Sequence, residues 1–97
     1  MTAQNKKERA RLHLVISGRV QGVGFRFSAY DEAKELALAG YVRNLPNGDV
    51  EIIAEGSREN LQMLAAWAHL GPPSAHVTKV REEWLESTGE FIDFQIR

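Results

Sequence analysis

The nine residues Gly18-Arg19-Val20-Gln21-Gly22-Val23-Gly24-Phe25-Arg26 set three glycines and two arginines side by side, a composition suited to holding a small anion. Glycines let a backbone turn sharply and bring several N–H groups round to face one point. A helix that starts there adds its own unpaired N–H groups and the positive end of its dipole. Arg26 brings a planar guanidinium that stays charged and can meet two phosphate oxygens at once. The implied chemistry is recognition of a phosphoryl group by the backbone N–H groups of Gln21, Gly22, Val23, Gly24 and Phe25 together with Arg26. Nucleotides fit less well, because the run has no Gly-Lys-Ser/Thr ending and its glycines do not fall as Gly-x-Gly-x-x-Gly.

Asn44 is the second candidate. Its carboxamide both donates and accepts, so it can hold a water beside a bound phosphoryl group without acting as a base. Taken singly, each residue also has a plainer reading: Arg26 as an exposed arginine at a helix start, and Asn44 as a side chain that shapes the turn after it. Other chemistries find little support. With no cysteine there is no thiol nucleophile, disulfide or thiolate zinc site. His13, His69 and His76 lack metal-ligand spacing with any acidic partner, and no Ser/His/Asp set is apparent. A glycosidase-like acid pair stays open, although solvated helix and strand faces account for most carboxylates.

The elements that must position these residues are legible from hydrophobic period. Leu12, Leu14 and Ile16 alternate with His13, Val15 and Ser17, which predicts a strand running into the glycine loop. Ala29, Ala33, Leu36 and Ala37 then recur at helical spacing, with Gly40 placed as a left-handed C-terminal cap. Tyr41 to Leu45 reads as extended, Pro46-Asn47-Gly48-Asp49 as a tight turn, and Asp49 to Glu55 as its partner strand with one face buried and one mostly wet. Gly56-Ser57 offers a turn and an N-cap before a second helix carrying Leu61, Leu64, Ala65 and Ala68. Gly71-Pro72-Pro73 closes that helix. A strand follows over His76 to Leu85, with Thr78, Val80 and Trp84 on one side, and a short extra one over Phe91 to Arg97, with Ile92, Phe94 and Ile96 aligned.

Two strand-helix-strand halves joined by a hairpin predict an α+β fold, the split βαβ (βαββαβ) ferredoxin-like sandwich, with an antiparallel sheet and both helices on one face. In such a unit the end of the first strand and the second strand can frame one site, so Asn44 can face the glycine loop. The length of 97 residues suits one domain. Residues 1–10 read as a flexible polar tail and 11–97 as the domain. Twelve Lys and Arg against thirteen Asp and Glu leave a net charge of −1, which argues against a surface for long nucleic acid. No apolar run has the length of a signal peptide or membrane span, so the expected protein is soluble and cytoplasmic, and a monomer is the expected state.

Two blocks resemble the acylphosphatase family. Gly18 to Arg26 is similar to that family's phosphate-loop signature, and Gly40-Tyr41-Val42-Arg43-Asn44-Leu45-Pro46-Asn47-Gly48 to its second signature. Further similarity in Val50 to Gly56 and Gly71-Pro72-Pro73 extends the resemblance over nearly everything from Leu12 onward. It implies a ferredoxin-like fold and hydrolysis of the carboxyl–phosphate bond of acyl phosphates, with inorganic phosphate as product or inhibitor. It also implies no metal, no cofactor and no covalent enzyme intermediate, with Arg26 binding phosphate and Asn44 positioning the attacking water. Tyr41 stands where tryptophan is frequent in the family, and Gly24 where a bulkier residue can occur. A noncatalytic phosphate- or RNA-binding module is the rival expectation, since ferredoxin-like sheets also carry RNA on exposed aromatics. Here Tyr41 and Phe91 are the aromatics expected to be available, with Phe25, Trp67, Trp84 and Phe94 assigned to the core.

Overall fold

A computed structural model of the chain describes residues 8–97. The elements are β1 (Arg9–Arg19), α1 (Phe25–Glu35), β2 (Ala39–Asn44), β3 (Val50–Ser57), α2 (Arg58–Ala68), β4 (His76–Leu85) and β5 (Phe94–Ile96). They form one five-stranded sheet in the order β4-β1-β3-β2-β5. The four long strands pair antiparallel, as expected. β5 instead pairs parallel with β2. The reason is directional: β4 runs opposite to β2, so a chain that leaves β4 and crosses the sheet without reversing along it enters the far edge in the direction of β2. Of the polar tail expected over 1–10, Arg9 and Ala10 already belong to β1, with Ala10 buried, and residues 1–7 lie outside the described residues. None of the described helices is long and apolar enough to cross a membrane.

The alternation read in the sequence decides which face is covered. Leu12, Leu14 and Ile16 of β1 stand opposite Ala54, Ile52 and Val50 of β3, and all six are fully buried. Phe25, Ala29 and Ala33 from α1 and Leu61, Leu64, Ala65 and Ala68 from α2 join the same cluster, which places both helices on one face. Ser57 caps α2 by accepting from the Asn60 N–H at 3.1 Å, and the Asn60 amide reaches the Leu36 carbonyl at 2.9 Å, tying the start of α2 to the end of α1.

Four local expectations are corrected. Gly40 is not the cap of α1 but lies within β2 at φ 143°, where an added Cβ would stand 1.9 Å from the Ile53 carbonyl oxygen. The left-handed residue is Ala37, at φ 55°. Its N–H bonds the Lys34 carbonyl at 3.1 Å, and the Leu38 N–H bonds the Ala33 carbonyl at 2.9 Å, the paired bonds of a Schellman ending with buried Leu38 as its apolar contact. A non-glycine residue there carries a Cβ penalty of about 1–2 kcal/mol, partly offset by the extra freedom glycine has when unfolded. Ala37→Gly is therefore expected to raise stability by about 0.5–1 kcal/mol, measured by urea unfolding at unchanged m-value.

The register of β1 on β4 slips between Ser17 and Gly18, so Ser17 faces Lys79 while Gly18 faces Val77. This bulge turns Thr78 outward and brings Val77, not Thr78, against the core beside Val80 and Trp84. At the far edge, β5 begins only at Phe94, and Ile92 is 95% exposed rather than aligned with Phe94 and Ile96.

The last correction concerns Glu55, expected on the wet face and in fact 1% exposed. The segment 86–93 crosses the open face of the sheet above it. Burial alone would push its carboxyl up. The Thr88 N–H at 2.8 Å, Arg11 Nε at 2.7 Å, the Gly89 N–H at 3.0 Å and the Thr88 hydroxyl at 3.1 Å instead hold it down at about 2. A carboxyl lowered on folding contributes stability above its unfolded range, here roughly 3 kcal/mol, and loses it as the pH falls toward the folded value. Wild-type melting temperature should accordingly fall steeply between pH 4.5 and about 2. Glu55→Gln should melt lower at neutral pH and show a flatter profile through that window, as followed by thermal unfolding across a pH series.

Candidate active site

β1 and β2 run in the same direction with β3 between them, so the loop after β1 and the last residue of β2 emerge at the same end of the sheet. Ile16, Val50 and Asn44 form one row across the three strands. That row fixes the separation of the glycine loop from Asn44. The end in question is the carboxyl end of β1 and β2, where the amino end of α1 also lies.

The loop is shaped by backbone conformation. Gly22 and Gly24 have φ of 76° and 80°, and a Cβ added to either would meet nothing within 4 Å, so glycine is favoured there for its dihedral angle and not for space. Gly24 is the N-cap of α1, and the first helical bond runs from the Ser28 N–H to the Gly24 carbonyl at 3.1 Å. The N–H groups ahead of Ser28 are those a helix cannot pair internally. Phe25 anchors this turn, buried with its ring centroid 5.2 Å from that of Trp67.

These elements enclose a pocket of about 200 Å³. Gly22, Gly24, Phe25, Arg26 and Asn44 line it, with Val20 beneath and Phe27 at its side. The expected site residues are thus brought together, with two differences. Val23 packs against the core and Gln21 is turned away. The Gln21 carboxamide donates to the Leu45 carbonyl at 2.8 Å and the Asp49 carbonyl at 2.9 Å, lacing the glycine loop to both sides of the β2–β3 turn. No local pattern marks that role, since it depends on two loops meeting in space.

The plainer readings of Arg26 and Asn44 lose ground on geometry. The turn is shaped by Asn47, whose side-chain oxygen accepts from the Asp49 N–H at 3.0 Å, while the Leu45 N–H bonds the Asp49 carbonyl at 2.8 Å. Among the described residues the Asn44 side chain makes no hydrogen bond, and Asn44 lines the pocket. Arg26 is half-buried, and Nη1 donates to the main-chain oxygen of Arg97 at 3.2 Å. A guanidinium has five N–H donors, so most remain for a ligand. Arg97 is itself held by its N–H to the Val42 carbonyl at 2.8 Å and by its guanidinium 4.2 Å from the centre of the Tyr41 ring.

Among the described residues the pocket lining carries no carboxylate or imidazole. His13 lies on the open sheet face, with Nε2 2.8 Å from Glu51 and Nδ1 3.6 Å from Glu83, and His69 pairs with Glu82 at 3.2 Å. A larger concavity of about 430 Å³ lies at the opposite end of α1, lined by Lys34, Ala37 and Phe91 among others, and contains none of the candidate residues.

The family model described as acylphosphatase matches residues 12–96. The chain belongs to the acylphosphatase family. An acylphosphatase of Thermococcus kodakarensis is 54% identical over 82 residues, which make up 84% of this chain and 90% of that one. Among solved structures, an acylphosphatase of Coxiella burnetii is 41% identical with a TM-score of 0.84 over the whole of both chains. That of Bacillus subtilis is 36% identical with a TM-score of 0.88, over 91% of this chain and 98% of that one. The activity is acylphosphatase activity, hydrolysis of the carboxyl–phosphate bond of acyl phosphates to a carboxylate and inorganic phosphate. The ferredoxin-like expectation from the sequence agrees with these structural neighbours.

Proposed function

We propose that the pocket between the glycine loop and Asn44 is where the hydrolysis takes place. The observation that carries this reading is the pairing, in one 200 Å³ pocket, of a helix amino end and a guanidinium with a carboxamide that has no other partner among the described residues. The N–H groups from Gln21 to Phe25, together with Arg26, hold the nonbridging oxygens of the phosphoryl group. Asn44 holds a water in line with the bond to the departing carboxylate. A carboxylate leaves readily without protonation, and a loose transition state asks for little nucleophilic push, so position and charge supply most of the catalysis. The water oxygen bonds to phosphorus and the phosphorus–acyl oxygen bond breaks, its electron pair leaving with the carboxylate. The water's proton passes to a phosphoryl oxygen, so the bound substrate serves as the base.

On this reading the protein is a cytoplasmic monomer, with acyl phosphate as substrate, phosphate as product and inhibitor, and neither nucleic acid nor membrane as partner. An RNA-binding role for the open sheet face is disfavoured. The Tyr41 and Phe91 ring centroids stand 6.0 Å apart, and Arg97 and Arg11 already lie 4.2 Å and 5.1 Å from the centres of those rings. The decisive experiment combines hydrolysis of benzoyl phosphate by wild-type, Arg26→Ala and Asn44→Ala proteins with thermal shifts in phosphate and in short single-stranded RNA. Protection by millimolar phosphate without an RNA response at physiological salt supports the reading. Full activity of Arg26→Ala removes it, and full activity of Asn44→Ala removes the role given to Asn44.

A further inference from the structure

Among the described residues three apolar side chains line the pocket, and the fold accounts for two of them. Val20 and Phe25 are each 1% exposed and belong to the core, whereas Phe27 is 66% exposed. We infer that Phe27 is a specificity-determining residue: it receives the acyl group of the substrate and favours acyl phosphates whose acyl part is aromatic or otherwise apolar over acetyl phosphate. This rests on the pocket being the phosphoryl site.

Helix geometry places the ring where that contact would form. Phe27 stands in the first turn of α1, two residues beyond Phe25 and so on the opposite side of the helix. Side chains on a helix lean toward its amino end, which carries the Phe27 ring over the glycine loop and the mouth of the pocket. Packing gives no reason for an aromatic residue here, since Phe25 and Ala29 occupy the buried positions of this turn and the next. A polar residue would serve the fold equally well.

The reaction's own geometry calls for a second surface. A pocket of about 200 Å³ is smaller than the roughly 300–1,000 Å³ that enclose a drug-sized ligand, so it takes the phosphoryl end and leaves a bulky acyl group at the rim. In-line displacement puts the attacking water and the leaving carboxylate on opposite sides of phosphorus. Asn44, which holds the water, belongs to the β2 wall, and Phe27 belongs to the α1 wall. The acyl group therefore departs away from Asn44, where the exposed apolar surface is that of Phe27.

The test is the ratio of kcat/KM for benzoyl phosphate to that for acetyl phosphate in wild-type, Phe27→Ala and Phe27→Tyr proteins. One apolar contact discriminates substrates by roughly 10–200-fold, and an open rim belongs at the low end. The ratio is expected to fall about tenfold in Phe27→Ala, mainly through KM for benzoyl phosphate, and to be kept in Phe27→Tyr, which retains the ring. Both substrates are measured on one preparation, so the ratio is independent of the fraction folded. An unchanged ratio in Phe27→Ala beside an inactive Arg26→Ala overturns the role of Phe27 and leaves the pocket reading standing. An active Arg26→Ala protein overturns the pocket reading itself, and this inference with it.

Discussion

Arg26→Ala should lower kcat/KM for benzoyl phosphate by at least about 10³-fold and remove the thermal protection given by phosphate, with little loss of stability in the ligand-free protein. The magnitude follows from what the guanidinium does. Positioned cations at a transferring phosphoryl group contribute about 10³–10⁵-fold, because charge on the equatorial oxygens is stabilised by a donor already in place. Stability is spared because Arg26 is half-buried at the start of α1, and its side chain makes one hydrogen bond among the described residues, the 3.2 Å bond to the Arg97 main-chain oxygen. Phosphate at about 100 times its dissociation constant stabilises a protein by about 2.7 kcal/mol, so the loss of binding reads directly as a lost shift in melting temperature. Arg26→Lys should recover only part of the activity, since an ammonium keeps the charge but not the planar fork.

What could be read in advance divides along physical lines. The glycine loop, Arg26 and Asn44 stood out because their residue types carry chemistry and their places follow from hydrophobic period. Alternation from Leu12 to Ile16 and from Val50 to Ala54 was enough to set β1 and β3 with the correct faces inward. Topology then brought the ends of β1 and β2 to the same side. The misses are all tertiary. Glu55 alternates like a wet residue, yet the segment 86–93, far along the chain, folds over it and supplies its donors. Gly40 carries the usual local signal for a helix cap, but close approach to the Ile53 carbonyl claims it for β2, and a Schellman turn at Ala37, sealed by buried Leu38, ends α1 earlier, at Glu35. Thr78 is displaced by a bulge that exists only through its pairing with β1. The Gln21 side chain has no local signature at all, because its two acceptors lie across the β2–β3 turn.

Asn44→Ala separates binding from turnover, which the arginine substitution does not. The carboxamide meets the water rather than the phosphoryl oxygens, so phosphate should protect the Asn44→Ala protein nearly as well as wild type. Turnover should nonetheless fall by about 10²–10³-fold, the usual effect of losing one preorganised polar group from a catalytic site. The loss should lie in kcat with KM little changed, which marks an interaction made in the transition state and not in the ground state. A structural cause is separable, because Asn44 closes β2 through main-chain pairing with Val50 and the adjoining turn is held by Asn47 and Gln21, none of which depends on the Asn44 side chain. Unfolding measurements should therefore place Asn44→Ala close to wild type. A kcat equal to wild type would transfer the water to another donor, and a parallel loss of phosphate protection would move Asn44 from the water to the phosphoryl group. Asn44→Asp sharpens the distinction: it keeps an acceptor for the water but sets a negative charge beside the phosphoryl oxygens, so both kcat and phosphate protection should drop.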